Sequence, residues 1–270
     1  MRTAIERDGY VIARNLLTQD EVAKLREALL LHFSRQWHWE GLGKHQPRAA
    51  SMIPAISWIF AHPAIVAVFR EITGSSRPVF TANSDAHMNM LSWWHKDTAE
   101  KQGGCFKNDY FDRRNLGVYR AGIYMQDHVA DGHGLHVRPG SQNTRSAHQG
   151  AVETLLTRAG DVIFFDPRLS HAGQLPDPFE YALLRFGQRL GVPALAHYAK
   201  EGWRRLVGKQ AKLSLFFTYG APGPDTDDYS AFEAQAHRRA GRLDAPALPP
   251  ELLGSLAVQR VECNPWLLPG

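Results

Sequence analysis

Apolar residues return at every third or fourth position through "TQDEVAKLREALLLHF" (18–33), where Val22, Leu25, Leu29 and Phe33 fall on one helical face. The spacing predicts an amphipathic helix that lays this stripe on a core. Thr18 stands where an N-cap belongs and Glu21 follows three residues on, as in a capping box; Leu17 and Val22 are placed for a hydrophobic staple. Upstream, "DGYVIARNLL" (8–17) reads as a short strand and turn. Downstream, "PAIVAVFREI" (63–72) predicts a second helix, stopped by Gly74.

From residue 78 the period shortens. "PVFTAN", "HMNMLSWWHKD", "VYRAGIYMQDHV", "GLHVRPGS", "DVIFFD" and "KLSLFFTYG" are β-prone runs separated by glycine and aspartate. Strands at this spacing suggest an all-β sandwich or barrel rather than alternating β-α units. Two stretches interrupt them. Residues 99–117 form a polar and aromatic loop, and residues 175–211 are too long for a turn and contain the helix-like "ALAHYAKEGWRRLVGKQ". Long insertions on a rigid sandwich are where specificity tends to live. The tail, with "APALPPELLGS", is proline-rich and is expected to wrap the surface.

Composition narrows the class. A chain of 270 residues, 44% hydrophobic, suits one large core with helical additions, so residues 1–270 are read as one domain. The formal charge of +4 leans weakly towards anionic small molecules, and without a clustered basic stripe it does not argue for nucleic acid. The apolar runs "VIFF" (162–165) and "LSLFF" (213–217) are strand-length, so nothing spans a membrane and no membrane partner is expected. "MRTAIERDGY" lacks the apolar core of a secretory signal, and Cys105 and Cys263 make no disulfide framework. A cytoplasmic protein is the simplest expectation; the oligomeric state is not legible.

On a strand, residues i and i+2 share a face, so His95 and Asp97 in "WHKD" offer one imidazole and one carboxylate together. His171, after the apolar strand in "GDVIFFDPRLSHAGQ", is a candidate third ligand. Two histidines and a carboxylate are the donor set of non-haem Fe(II) oxygenases, with positions left open for other ligands. An H-x-D pair is also common by chance among 13 histidines, where it is only a polar pair. Asp131, His133 and His136 in "DGHGLH" form a competing cluster, read first as a glycine-rich loop.

The order "DGYVIARNLLTQDEVAKLREAL", "WHKD", "GIYMQDHVADGHGLHVRPGSQ", "GDVIFFDPRLSHAG" and "SLFFTYG", spanning residues 8–220, resembles the phytanoyl-CoA dioxygenase superfamily of Fe(II)/2-oxoglutarate oxygenases. The resemblance implies a mainly β fold with flanking helices, around a double-stranded β-helix (jelly-roll, cupin-like) core. It implies Fe(II) on His95, Asp97 and His171, with 2-oxoglutarate and O2 as co-substrates. Related halogenases replace the carboxylate with a small residue; Asp97 is present, so hydroxylation or another oxidative outcome is favoured over chlorination. Succinate and CO2 would be released.

Two departures stand out. Relatives carry an arginine for the far carboxylate of 2-oxoglutarate where this chain has Lys212, which neutralises charge but lacks the bidentate fork. Arg185 in "YALLRFGQRL" is the alternative cation, and a solvated edge-strand lysine is the plain reading of Lys212. "PGSQ" (139–142) stands where relatives usually read P-G-S-H. If His95 and Asp97 face inward, alternation turns Asn89, Leu91 and Trp93 inward too, with Asn89 placed to bond the co-substrate and Trp93 to wall the pocket. Arg120, Gly122, Tyr124 and Gln126 share a strand face too polar for a dry sheet. It either lines a cavity, making Tyr124 and Gln126 pocket residues and Arg120 a substrate contact, or it is an outer face.

The substrate is the least legible feature. Lys107, Tyr110, Phe111, Arg113 and Arg114 in "FKNDYFDRRN", with Arg138 and Arg145, suggest a basic, aromatic rim for a small anionic or sugar-like molecule, such as a biosynthetic intermediate; a solvated charge run reads equally well. The rivals are a non-catalytic jelly-roll binding module and a cupin-type metal hydrolase or isomerase without co-substrate.

Overall fold

A computed structural model describes residues 1–40, 43–97, 115–128, 134–239 and 247–263. The chain opens with α1 (Arg2–Asp8), β1 (Tyr10–Ala13) and α2 (Gln19–Arg35), then the hairpin β2 (His38–Glu40) and β3 (Gly43–Pro47). Short helices α3 (Ala49–Met52) and α4 (Ser57–Phe60) lead to α5 (Pro63–Thr73) and the long strand β4 (Val79–Met88). After β5 (Val118–Tyr124) come β6 (His136–Val137), β7 (Glu153–Thr154), β8 (Val162–Phe165) and β9 (His171–Ala172). Helices α6 (Pro178–Arg189) and α7 (Pro193–Leu206) precede β10 (Leu213–Gly220), and α8 (Pro224–Arg239), α9 (Pro250–Val258) and β11 (Glu262–Cys263) follow it.

Helix α2 begins as its sequence dictates. The Thr18 side chain accepts from the Glu21 amide at 3.2 Å, and the Glu21 carboxylate accepts the Thr18 amide at 2.8 Å, which closes the capping box. Helix α5 ends on Gly74, whose φ of 70° gives the left-handed C-cap that glycine adopts without a Cβ clash.

The strands form two sheets. The larger runs β1-β8-β5-β10-β4-β3-β2, antiparallel throughout, with β11 added in parallel to β4; the smaller is β7-β6-β9. The two faces of the large sheet have different fates. Tyr119, Ala121 and Ile123 of β5, Leu215, Phe217 and Tyr219 of β10 and Val162 and Phe164 of β8 are buried against Val22, Leu25, Leu29 and Phe33 of α2 and Ile65, Val66, Phe69 and Ile72 of α5. Phe69 stacks on Tyr219 at 4.4 Å and meets Phe164 edge-on at 5.1 Å. Each buried Val, Leu, Ile or Phe here contributes about 1.5–3 kcal/mol, so this helix-covered face anchors the domain. The opposite face, with Arg120 and Tyr124 of β5 and Ser214 and Phe216 of β10, bounds a cavity.

Two expectations need correcting. The proline-rich tail does more than cover the surface: Leu248, Leu252 and Leu256 enter the main core, and β11 extends the sheet. "HMNMLSWWHKD" is not one strand. Strand β4 stops at Met88 because Asn89 takes a left-handed conformation, φ 55°, which turns the chain out of the sheet. The insert at 175–211 is a helical hairpin, with α6 opened by Asp177 and Glu180 in a second capping box. Among the described residues no single helix is long and apolar enough to cross a membrane.

Candidate active site

His95, Asp97 and His171 meet at one end of the cavity, with one ligand atom from each within 4.8 Å of the others. Asp97 Oδ1 lies 3.4 Å from His95 Nε2 and 3.2 Å from His171 Nε2. Backbone ties bring them there. His95 and His171 exchange both N–H···O bonds at 2.9 Å, the Asp97 amide donates to Pro167 O at 3.0 Å, and the Ser92 amide donates to Gln174 O at 3.1 Å. The segment 92–97 thus pairs with the chain around β9. Alternation holds over its last three residues, where Lys96 points away and donates to Ser141 O and Arg168 O at 2.7 and 2.6 Å.

The histidines are already oriented. His95 Nδ1 donates to Trp93 O at 2.6 Å and His171 Nδ1 to Leu169 O at 3.0 Å, so both leave Nε2 facing Asp97. Imidazoles held by Nδ1–H to a carbonyl are the usual supports of a metal. Burial would raise the Asp97 carboxyl, but the Arg120 guanidinium and His171 outweigh it and hold Asp97 well below the usual carboxylate range. Burial lowers His171. An anionic carboxylate and a neutral imidazole are the forms that bind a cation, so the donor set fits a divalent transition metal.

Arg120 clamps the site from behind. Its guanidinium donates to Asp97 Oδ2 at 2.9 Å and to Asp85 Oδ2 at 2.5 Å, and it lies 5.3 Å over the Phe216 ring. Asp85 Oδ1 is 3.2 Å from His45 Nε2, and His45 Nδ1 is 2.5 Å from Glu40 Oε2. A chain of alternating charge therefore runs from the half-exposed Glu40 to Asp97. Burial works against a charged His45, but hydrogen bonds to Asp85 and Glu40 prevail and raise it to about 9. His87, buried beside the positive His45, is pushed down to about 3.

The remaining expectations are distributed as follows. Tyr124, Gln126 and Lys212 line the cavity with the three ligands, Ser214 and Phe216. Gln126 is held by the Leu213 amide at 2.9 Å and reaches His128 at 3.0 Å, while Tyr124 packs edge-on against His128 and Phe216. Gly122 makes room for this wall, since a Cβ there would lie 2.8 Å from the Phe216 ring. The polar face of β5 is therefore a cavity face. Asn89 is placed elsewhere: the turn at φ 55° aims its amide at Glu201 of α7, 3.1 Å away, and its Oδ1 accepts the Lys212 amide at 2.9 Å. Leu91 packs with Ala196, Leu183 and Leu184.

Arg120 lines the cavity and donates to the Asp97 and Asp85 carboxylates. Trp93 is exposed and meets Tyr181 of α6 edge-on at 5.9 Å. Arg185 is exposed on α6, over the Tyr181 ring and away from the cavity lining. Arg138 lies 4.3 Å over Trp94 and donates to Gly150 O. Gln142 of "PGSQ" donates to Glu6 O and Arg7 O, which ties α1 to the turn. Arg113, with the rest of 98–114, and Asp131 and His133 lie outside the described residues.

Sequence reasoning missed Glu40, His45, Asp85, His87, Ser92 and Gln174, all of which line the cavity. For two of them a signal existed: Asn83, Asp85 and His87 repeat at period two along β4, the same polar stripe that marked β5. Nothing local marks Glu40 or His45, which reach the site through the β2–β3 hairpin.

The family described as phytanoyl-CoA dioxygenase (PhyH) matches residues 5–174. No curated protein matches the sequence. Solved structures do match in fold. The alpha-ketoglutarate-dependent carbocyclase SnoK of nogalamycin biosynthesis is 15% identical at a TM-score of 0.57, covering 93% of this chain and 92% of its own. The epimerase SnoN, solved with Fe3+, alpha-ketoglutarate and nogalamycin RO, is 18% identical at a TM-score of 0.52, covering 81% of each chain. HygX from Streptomyces hygroscopicus, solved with nickel, 2-oxoglutarate and hygromycin B, is 13% identical at a TM-score of 0.55, covering 82% of this chain and 88% of its own.

Proposed function

Because the chain belongs to the phytanoyl-CoA dioxygenase family, we propose that it is a Fe(II)- and 2-oxoglutarate-dependent dioxygenase that oxidises an unactivated C–H bond of a small biosynthetic intermediate, hydroxylation being the favoured outcome. One observation carries the reading: two histidines whose Nδ1 atoms are committed to carbonyls turn Nε2 to within 3.2–3.4 Å of one Asp97 oxygen. His95, Asp97 and His171 would hold the iron, which together with 2-oxoglutarate and O2 supplies the oxidising power.

The chain's own residues bind and orient. Lys212, just before β10 in the cavity wall, is the cation for the far carboxylate of 2-oxoglutarate, and Tyr124 and Ser214 share that wall. Arg185 does not share that wall. Arg120 fixes Asp97 through Oδ2, which leaves Oδ1 for the metal. Phe165, Phe216 and Leu135 keep this end apolar and exclude water. Glu40, His45, Asp85, Ser92 and Gln174 also line the cavity and present donors and acceptors of both signs, suited to a hydroxyl-rich or sugar-like molecule. SnoN and HygX were solved with compounds of natural-product pathways, nogalamycin RO and hygromycin B, which fits a biosynthetic substrate.

The test is anaerobic titration of apo-protein with Fe(II) and then 2-oxoglutarate, followed by the weak visible charge-transfer band of the chelate. Wild type is expected to develop the band and His95→Ala to lack it. A wild type without a band refutes the reading and brings the binding-module alternative forward. Turnover with zinc or nickel and no succinate would favour the hydrolase alternative.

A further inference from the structure

The α6–α7 hairpin buries charged groups and exposes apolar ones, although Ala196, Leu183 and Leu184 pack inward with Leu91. On α7, His197, Lys200 and Arg204 recur at helical spacing and are buried, Lys200 to 0% exposure and Arg204 to 3%. The opposite stripe, Leu195, Ala199, Gly202 and Leu206, faces solvent, with Leu206 at 79% and Leu195 at 60%. On α6 the buried Glu180 contrasts with exposed Phe179, Phe186 and Leu190. Phe179 packs on Trp203 at 5.4 Å, so the two helices share one apolar surface. The inward polar groups have partners: Lys200 donates to Asn89 O outside the insert, and Arg204 to Gln210 O at the insert's end, 2.7 Å away. The outward apolar groups stand in water, at a cost that a soluble surface normally avoids.

Charge points to what covers them. Residues 175–211 carry six Lys/Arg against three Asp/Glu, so the insert supplies most of the formal charge of +4. All three acids are engaged inward: Asp177 caps α6, Glu180 is buried, and Glu201 accepts from Asn89. Arg185, Arg189, Arg205 and Lys209 are exposed around the apolar stripe. A second copy would bring two cationic rims together, which argues against self-pairing. Side chains more than half exposed form a ridge rather than a groove for a peptide. Trp, Tyr, Phe and Leu ringed by Arg and Lys on a helix pair too polar to span are the chemistry of interfacial helices on anionic lipid.

We propose that the α6–α7 hairpin docks the protein on an anionic phospholipid surface through Phe186, Leu190, Leu195, Leu206 and the surrounding arginines. This revises the expectation of no membrane partner, which rested on the lack of a spanning segment. The hairpin joins the cavity-lining Gly173 and Gln174 to Lys212, and its Tyr181 touches Trp93, so docking would set the cavity beside the bilayer. The inference does not depend on the reaction at the metal site.

Full-length protein is mixed with phosphatidylcholine vesicles, with and without phosphatidylglycerol, and the bound fraction is read by flotation. Binding is expected only with phosphatidylglycerol and is expected to weaken with salt. Arg185→Gln/Arg189→Gln should lower partitioning roughly thirtyfold. Leu195→Asp/Leu206→Asp should abolish it while far-ultraviolet circular dichroism stays unchanged. The proposal is overturned by no binding to anionic vesicles at low salt, or by equal binding of the Leu195→Asp/Leu206→Asp protein. A wild-type dimer that this double variant dissociates would also overturn it, because a second copy would then cover the ridge.

Discussion

The cavity floor and the α6–α7 hairpin obey opposite rules. At the floor a run of charges is balanced inside the chain: Glu40, His45, Asp85, Arg120 and Asp97 alternate in sign from the rim to the ligands. Its apolar groups face one another. On the hairpin the cations Lys200 and Arg204 are buried while Leu190, Leu195 and Leu206 are outside. A region whose partners lie within the chain balances its own polarity, whereas a region that inverts the pattern is balanced by something else. The first should be fragile to single substitutions and the second tolerant of them.

Asp97→Ala should give the largest effect. Arg120 would keep one carboxylate of two in a buried place, at a cost of about 3–5 kcal/mol in stability, read as a fall in melting temperature, and the charge-transfer band should vanish. An unchanged melting temperature would mean that the buried charge chain is not self-balancing.

Lys212→Ala should weaken 2-oxoglutarate about 10–100-fold by calorimetry, the worth of one charge-assisted hydrogen bond, and Lys212→Arg should restore it. Arg185→Ala should leave it unchanged; the reverse pattern would move the co-substrate cation to the hairpin.

His45 gives a pH signature. Its folded value of about 9 lies above the ordinary 6.5, so its contribution to stability is full below pH 6.5 and is lost as pH rises through 9. Glu40 and Asp85 bond it, Arg120 is the cation on the far side of Asp85, and the adjacent His87, pushed down to about 3, stays neutral across this window. Apo-protein stability should fall by roughly 2–3 kcal/mol over that window, and His45→Gln should flatten the profile. A wild-type profile as flat as the variant's would remove the charge chain's outer link.

The smallest effect belongs to the hairpin. Leu206→Asp should change stability by no more than about 0.5 kcal/mol, against about 3 kcal/mol or more for the buried Leu25→Ala. A large loss at Leu206 would erase the contrast between the two regions.

What the sequence revealed follows the same line. Helix α2 and its cap, the strands β4, β5, β8 and β10, and the pair His95/Asp97 were legible because local period and neighbours determine them. The polar stripe on β5 was visible, but whether it faced a cavity depended on the small sheet opposite. Asn89 escaped because one left-handed residue cancels an alternation argument, and no glycine or proline in "HMNML" (87–91) marks the turn. Glu40 and His45 arrive from a distant hairpin with no periodic mark. The inversion of α6 and α7 was hidden for another reason: an amphipathic pattern states that a helix has two faces, not which of them looks inward.

The strand order also governs how the chain comes together in time. Strand β4 lies between β3 and β10, and β5 between β8 and β10, so both wait for residues 213–220 before their edges are covered. His95 and Asp97 likewise precede His171 by more than seventy residues. During synthesis the first two ligands emerge well before the third, and one edge of β4 and one edge of β5 have no partner until β10 arrives. Such late, long-range closure makes folding slow and leaves strand edges open to aggregation in the interim.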